Sequence, residues 1–178
     1  MRADKVRNQE AVLAAAGRLF DQAGDPDEVS MDAIAAAAGV GKGTIFRGYG
    51  DRRGLIRALY DARVARELVL DGSGGTPAEA ALDLLDRVWT FKERNRALAS
   101  ALEREGHGSP YQSAGYDRLH AVLTDLAGRA RGPENAAFLA HVLLGAVRSD
   151  LVEHLRQDDS VDPRAGLRDL VRHVFGTA

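Results

Sequence analysis

The sequence predicts an all-α protein: an N-terminal helix-turn-helix domain of three helices followed by a helical bundle, about nine helices in all. Three observations carry this. The apolar residues recur with a helical period nearly everywhere. Runs of β-branched and aromatic residues with strict alternation, which would signal a sheet, are absent. A pair of short helices broken by glycine stands between Ser30 and Tyr49, the pattern of a helix-turn-helix.

The first helix is expected from about Arg7 to Ala23, with Val12, Leu13, Ala16, Leu19, Phe20 and Ala23 on one stripe. Gly24 and Asp25-Pro26-Asp27 stop it. Ser30 caps a short second helix whose inner face is Met31, Ile34, Ala35 and Ala38. Gly39-Val40-Gly41 breaks the chain, and a very short third helix follows from Lys42 to about Tyr49. Asp51 caps a fourth helix reaching about Leu70, and Asp71 to Gly75 forms a flexible break. Thr76-Pro77-Ala78-Glu79 restarts the chain with a capping box and a proline in the first turn of a fifth helix, which runs to about Phe91 or Lys92. Asn95 caps a sixth helix, Arg96 to Glu105, and a loop spans Gly106 to Gln112. A seventh helix runs from about Ser113 to Ala130. Gly132-Pro133 opens a long eighth to about Gln157, and Asp162-Pro163 opens a ninth ending near Val174.

Composition narrows the function classes. The chain has 178 residues, of which 45% are hydrophobic and 28% charged, a globular profile with material for a core. Cysteine is absent, so disulfide and thiolate chemistry are excluded. The N-terminus lacks the apolar core of a signal peptide, and no run approaches the roughly 18 apolar residues of a membrane span. A cytoplasmic protein without a membrane partner is expected. The net charge of −2 argues weakly against nucleic acid, but the charge is unevenly placed. From Lys42 to Arg66 stand seven basic residues (Lys42, Arg47, Arg52, Arg53, Arg57, Arg63, Arg66) against Asp51 and Asp61. Such a cluster suits a phosphate backbone, although a solvated helix face is the common alternative.

In a helix-turn-helix, the second helix enters the major groove by its N-terminus. Ala35 occupies the close crossing, Gly39 the turn, and Val40 and Ile45 the small core beneath. Lys42 opposes the helix dipole at the start of that second helix, a placement easier to explain if a phosphate or a base edge is its partner. The candidate DNA contacts are Ser30, Lys42, Gly43, Thr44, Arg47, Tyr49, Arg52 and Arg53, with Arg47 the best placed to read guanine.

Two segments resemble the TetR family of transcriptional regulators. AVLAAAGRLFDQAG is similar to the family's first helix, and MDAIAAAAGVGKGTIFRGYGDRRGL to its helix-turn-helix, over about residues 7–60. Five positions depart from the family's usual residues. Gly41 stands for serine, Phe46 for tyrosine, Gly48 for histidine, Tyr49 for phenylalanine and Arg52 for lysine. The resemblance implies a homodimeric repressor without catalysis, released from a palindromic double-stranded operator by a small-molecule effector. It implies residues 1–50 as the DNA-binding domain, with a connecting helix over 51–70 and a ligand-binding and dimerisation domain over 76–178. It also implies that the last two helices pair with their copies, through Leu144, Val147, Leu151, Leu167, Leu170 and Val171. The alternative is that both are inner helices of a monomer. A reading of another class is a helical small-molecule-binding protein or enzyme whose helix-turn-helix has degenerated; Gly41, Phe46 and Gly48 favour it.

Competing motifs fail. Gly41-Lys42-Gly43-Thr44 lacks the first glycine of a phosphate-binding loop (Ala36 is there) and the hydroxyl residue after the lysine. Thr44 stands where a dinucleotide fingerprint needs its third glycine. His107, His120, His141, His154 and His173 are scattered singly, so neither a metal nor a cofactor is expected, and no Ser-His-Asp pattern is visible. Trp89, Phe91, Tyr111, Tyr116 and Phe138 are either ordinary core or the lining of a pocket. On the second reading its walls are Trp89, Leu102, Tyr116, His120 and His141.

Overall fold

The computed structural model describes residues 2–23, 25–68, 75–104 and 114–176. The expected flexible stretch at 71–74 and the loop at 106–112, with His107 and Tyr111, lie outside them. All regular structure among the described residues is helical. The α-helices are α1 (Arg2–Gln22), α2 (Met31–Ala38), α3 (Lys42–Tyr49), α4 (Arg52–Glu67), α5 (Pro77–Arg94), α6 (Arg96–Arg104), α7 (Ala114–Arg131), α8 (Ala136–Gly145), α9 (Ser149–Arg156) and α10 (Pro163–Phe175), with a 3-10 turn at Pro26–Glu28.

The local signals act as their chemistry demands. Ser30 Oγ accepts from the Ala33 N–H at 3.1 Å and starts α2. Asp51 Oδ1 accepts from the Gly54 N–H at 2.7 Å and starts α4. Thr76 and Glu79 form the reciprocal capping box of α5: Thr76 N–H donates to Glu79 Oε2 at 2.7 Å, and Glu79 N–H to Thr76 Oγ1 at 3.3 Å. These bonds to Thr76 hold the Glu79 carboxyl below its ordinary pKa. Asp162 caps α10 by accepting from the N–H groups of Arg164 and Ala165, both at 3.0 Å.

The chain divides into two compact units, Met1–Val64 with Asn95–His107, and Ala65–Arg94 with Gly108–Ala178. The division differs from a simple cut at the flexible stretch: α6, expected in the second domain, packs with the first. Its Leu98 and Ala101 are buried in one cluster with Val12, Phe20, Ile34, Ile45, Leu55 and Leu59. Arg63 reinforces the same unit from within. It is 8% exposed, pairs with Asp21 at 2.8 Å, donates to the Gly17 carbonyl at 3.0 Å, and bonds the side chain of Asn95. Asn95 therefore spends its amide oxygen on Arg63.

The second unit packs α5, α7, α8, α9 and α10, with the most extensive packing between α7 and α8. Arg164, in the first turn of α10, fastens that helix to α5. Its guanidinium bonds Asp86, Thr90 Oγ1 at 3.0 Å and Glu93 Oε2 at 3.0 Å, and lies 5.5 Å from the centre of the Trp89 ring. The single long eighth helix expected from the sequence is instead two, α8 and α9, broken over Ala146 to Arg148. Arg148 is extended (φ −64°, ψ 146°) and opens α9. The carbonyl of Val147, freed by the break, accepts from Lys92 Nζ at 2.5 Å. The apolar period continues through the break because Val147 stays fully buried.

Candidate nucleic-acid interface

The reading head is built from α2, a turn and α3. Gly39 ends α2 in the left-handed region (φ 66°), where its N–H and that of Val40 reach back to the carbonyls of α2. Any other residue type would strain there. Beneath the turn, Ile34 and Ile45 are fully buried, Ala35 is 6% exposed and Val40 packs partly against them. Gly54 has a second steric duty: a Cβ there would come within 2.0 Å of the Tyr49 carbonyl oxygen, so only glycine lets α4 begin so close to α3. One face of α3 is thus core and the other is free.

The expected DNA contacts divide into three groups. Lys42, Gly43 and Arg47 are exposed on α3, and Thr44 is half-buried beside them. Arg47 Nε donates to the Gly43 carbonyl at 3.2 Å, which folds its guanidinium along the helix. Lys42 has a partner the sequence reading missed: its Nζ lies 2.8 and 2.9 Å from the two carboxylate oxygens of Asp32 on α2. An ion pair within the protein therefore accounts for a lysine at this helix start. The second group is engaged within the unit. Arg52 donates to the carbonyls of Pro26 at 2.8 Å and Val29 at 3.4 Å, and the Tyr49 hydroxyl to the Gln9 carbonyl at 3.1 Å. Burial raises the Tyr49 pKa above its ordinary value. The third group flanks α3: Ser30 is exposed at the cap of α2 and Arg53 is half-buried on α4. A cleft of about 410 Å³ runs beside α3, lined by Asn8, Gln9, Val12, Thr44, Arg47, Gly48 and Tyr49. Asn8 and Gln9 carried no signal in the sequence, because a polar residue on an amphipathic helix reads as solvated face. The basic cluster is also less positive than its composition, since Asp32, Asp21 and Glu67 neutralise Lys42, Arg63 and Arg66.

In the second unit, three of the five expected pocket residues come together. Tyr116 and His120 on α7 meet His141 on α8: the Tyr116 hydroxyl and His141 Nδ1 are 2.5 Å apart, and the two imidazole rings 4.0 Å apart. His120 Nε2 bonds the Ala137 carbonyl at 3.0 Å. Trp89 is buried elsewhere, bonded to Glu93 at 2.9 Å, and Leu102 packs against the core of the first unit. No cluster of three or more metal-ligating groups occurs among the described residues.

Most of the residues expected at a self-interface are buried within the single chain. Leu144, Val147, Leu167 and Val171 are 5%, 0%, 4% and 2% exposed, filled in by their own unit, while Leu151 and Leu170 are half-buried. Exposed apolar residues in this unit include Val161, 42% exposed, and, four apart on α8, Phe138, 67% exposed, and Val142, 39% exposed. The apolar surface of α8 wraps more than one side, and α7 with the rest of the unit takes the side carrying Leu143 and Leu144.

The comparisons with known proteins agree with this geometry. Residues 12–59 match the family described as bacterial regulatory proteins, tetR family. The chain is 30% identical over 131 residues to an HTH-type transcriptional regulator of Staphylococcus aureus strain USA300, covering 71% of this chain and 70% of that one. Among solved structures, a TetR transcriptional regulator from Rhodococcus sp. RHA1 superposes with a TM-score of 0.68 at 19% identity over 98% of each chain. NalD, the secondary repressor of the MexAB-OprM multidrug efflux pump in Pseudomonas aeruginosa, superposes with a TM-score of 0.58 at 18% identity over 98% of this chain and 96% of its own. No described helix is long and apolar enough to cross a membrane. With the reading head and the relatives in agreement, the chain belongs to the TetR family of transcriptional regulators, proteins that bind DNA.

Proposed function

We propose that the protein is a homodimeric repressor that holds a palindromic operator through two copies of its first unit, and that a small-molecule effector bound by the second unit releases it. The observation that carries this reading is the free face of α3, with Lys42, Thr44 and Arg47 on a helix whose other face is locked into the core. Arg47 reads guanine, its fork matching two acceptors on one base edge. Lys42, Thr44 and Ser30 contact the backbone, and Arg53 flanks them. Arg52 and Tyr49 serve mainly to hold the head together, given their bonds to carbonyls of the same unit. No catalysis is assigned, and the protein acts in the cytoplasm.

One reading head covers too few base pairs for a unique address, so two-fold pairing is part of the proposal. The ridge of Phe138 and Val142 supports it, being apolar surface that a monomer leaves in water. The Tyr116–His120–His141 cluster supports effector binding, as Tyr116 stacked with each histidine, with polar tips, suits a ligand that is flat and hydrogen-bonding. An effector with unequal affinity for the DNA-fitting and non-fitting states shifts the population between them.

The test is fluorescence anisotropy with duplex DNA from upstream of the protein's own gene, at about 50 and 200 mM salt, followed by footprinting. Salt-sensitive binding and a footprint with two inverted halves are expected. Absence of binding to any duplex at low salt would sink the DNA-binding reading.

A further inference from the structure

Asp32 is an odd residue to find on the reading head. It is the second residue of α2, its side chain is 71% exposed, and its negative charge lies beside the start of α3, where a polyanion is to be bound. There both carboxylate oxygens contact Lys42 Nζ, at 2.8 and 2.9 Å, across ten residues of chain. Lys42 is the first residue of α3 and half-exposed, so it has room to turn toward a phosphate instead.

The balance between these two partners is close. An exposed ion pair is a weak bond, screened by water and salt. A lysine–phosphate contact on DNA is of the same kind and draws its strength from counterion release. Asp32 sits comfortably at its own helix start, whereas Lys42 opposes the dipole of α3. The ion pair therefore favours the closed arrangement until a phosphate is held close to Lys42 by the other contacts of the interface.

We propose that Asp32 is a brake on DNA binding that makes the Lys42 contact conditional. On DNA of arbitrary sequence, Lys42 stays with Asp32 and contributes nothing. On an operator, where α3 is seated in the groove and a phosphate is brought against it, Lys42 changes partner. The inference rests on the DNA-binding reading above.

The experiment measures affinity against salt for wild type and Asp32→Asn, on operator and on heterologous duplex. Freed from its carboxylate, Lys42 joins the phosphates on any duplex. The slope of log K against log salt on heterologous DNA should then steepen by about one, with affinity at low salt rising on the order of two- to fivefold. On the operator the slope should stay where it was, since Lys42 is already engaged there. Asp32→Glu, which keeps the charge, should keep the wild-type slopes. In a Lys42→Gln background, Asp32→Asn should leave the heterologous slope unchanged, because no cation is left to recruit. Asp32→Ser replaces the asparagine variant if that one does not fold.

The outcomes separate. A wild type that binds no duplex at low salt removes the DNA-binding reading itself. A wild type that binds, with a heterologous slope unmoved by Asp32→Asn, overturns the brake alone. Equal steepening in the Lys42→Gln background also overturns it, by showing that Asp32 acts through bare repulsion.

Discussion

The two units use their polar residues differently. In the first, arginine and lysine are committed to short internal contacts of unequal strength. Arg63 is buried against Asp21, Gly17 and Asn95, Arg52 is half-buried on two carbonyls, and Lys42 is held by an exposed carboxylate. In the second, Arg164 fastens α10 to α5, Lys92 and Arg131 donate to backbone carbonyls far along the chain, and the other described ion pairs are local, while Phe138 and Val142 stand apolar in water. The first pattern is a graded series from structural to exchangeable, which fits a surface that must trade protein contacts for phosphates. The second leaves an apolar ridge, which fits the proposed contact with a second copy.

The comparison is most sharply tested on α8. Leu144→Asp would place a carboxylate in the core of the second unit and should cost about 4 kcal/mol or more, read as loss of cooperative urea unfolding. Phe138→Asp, six residues away on the exposed ridge, should change monomer stability by less than about 0.5 kcal/mol yet convert the proposed dimer to a monomer in sedimentation. If Phe138→Asp still sediments as a dimer, the ridge is not the self-contact. Next in size is Arg63→Ala, which should lower the stability of the first unit by about 2–3 kcal/mol, because Asp21, the Gly17 carbonyl and Asn95 all lose their donor. Arg63→Lys should recover only part of this, one ammonium being unable to reproduce the fork. A urea midpoint at the wild-type value would make the cluster incidental.

Arg47→Ala should leave the melting temperature alone and cost about 1–3 kcal/mol in operator binding, with relaxed specificity at one base pair. Operator affinity equal to wild type would return Arg47 to solvated surface. The smallest effect belongs to the capping box. The Glu79 carboxyl has a lowered pKa in the folded state, so its contribution to stability is present above the ordinary glutamate range and is lost as the pH falls through the lowered value. Glu79→Gln should therefore flatten the acid limb of the stability curve as the pH falls below the ordinary glutamate range, followed by urea midpoints down that limb. An unchanged acid limb would show that the carboxyl contributes nothing there.

What could be read from the residues alone was what neighbours in sequence decide. Ser30, Thr76 with Glu79, and Asp162 cap their helices with bonds that span three residues or fewer, and Gly39 turns the chain by its own backbone freedom. The helix-turn-helix was legible for the same reason, since its short helices and turn occupy one continuous segment. The tertiary structure decided everything that depends on a partner far along the chain. Asp32 reads as an ordinary first-turn acid until α3 folds back and brings Lys42 to it. The sixth helix looks like part of the second domain until Leu98 and Ala101 find the core around Phe20 and Ile45. On α8 the periodicity announces apolar residues around more than one side. Which side is filled from within and which is left open, as Phe138 and Val142 are, depends on the volume that neighbouring helices present, and no local rule carries that information.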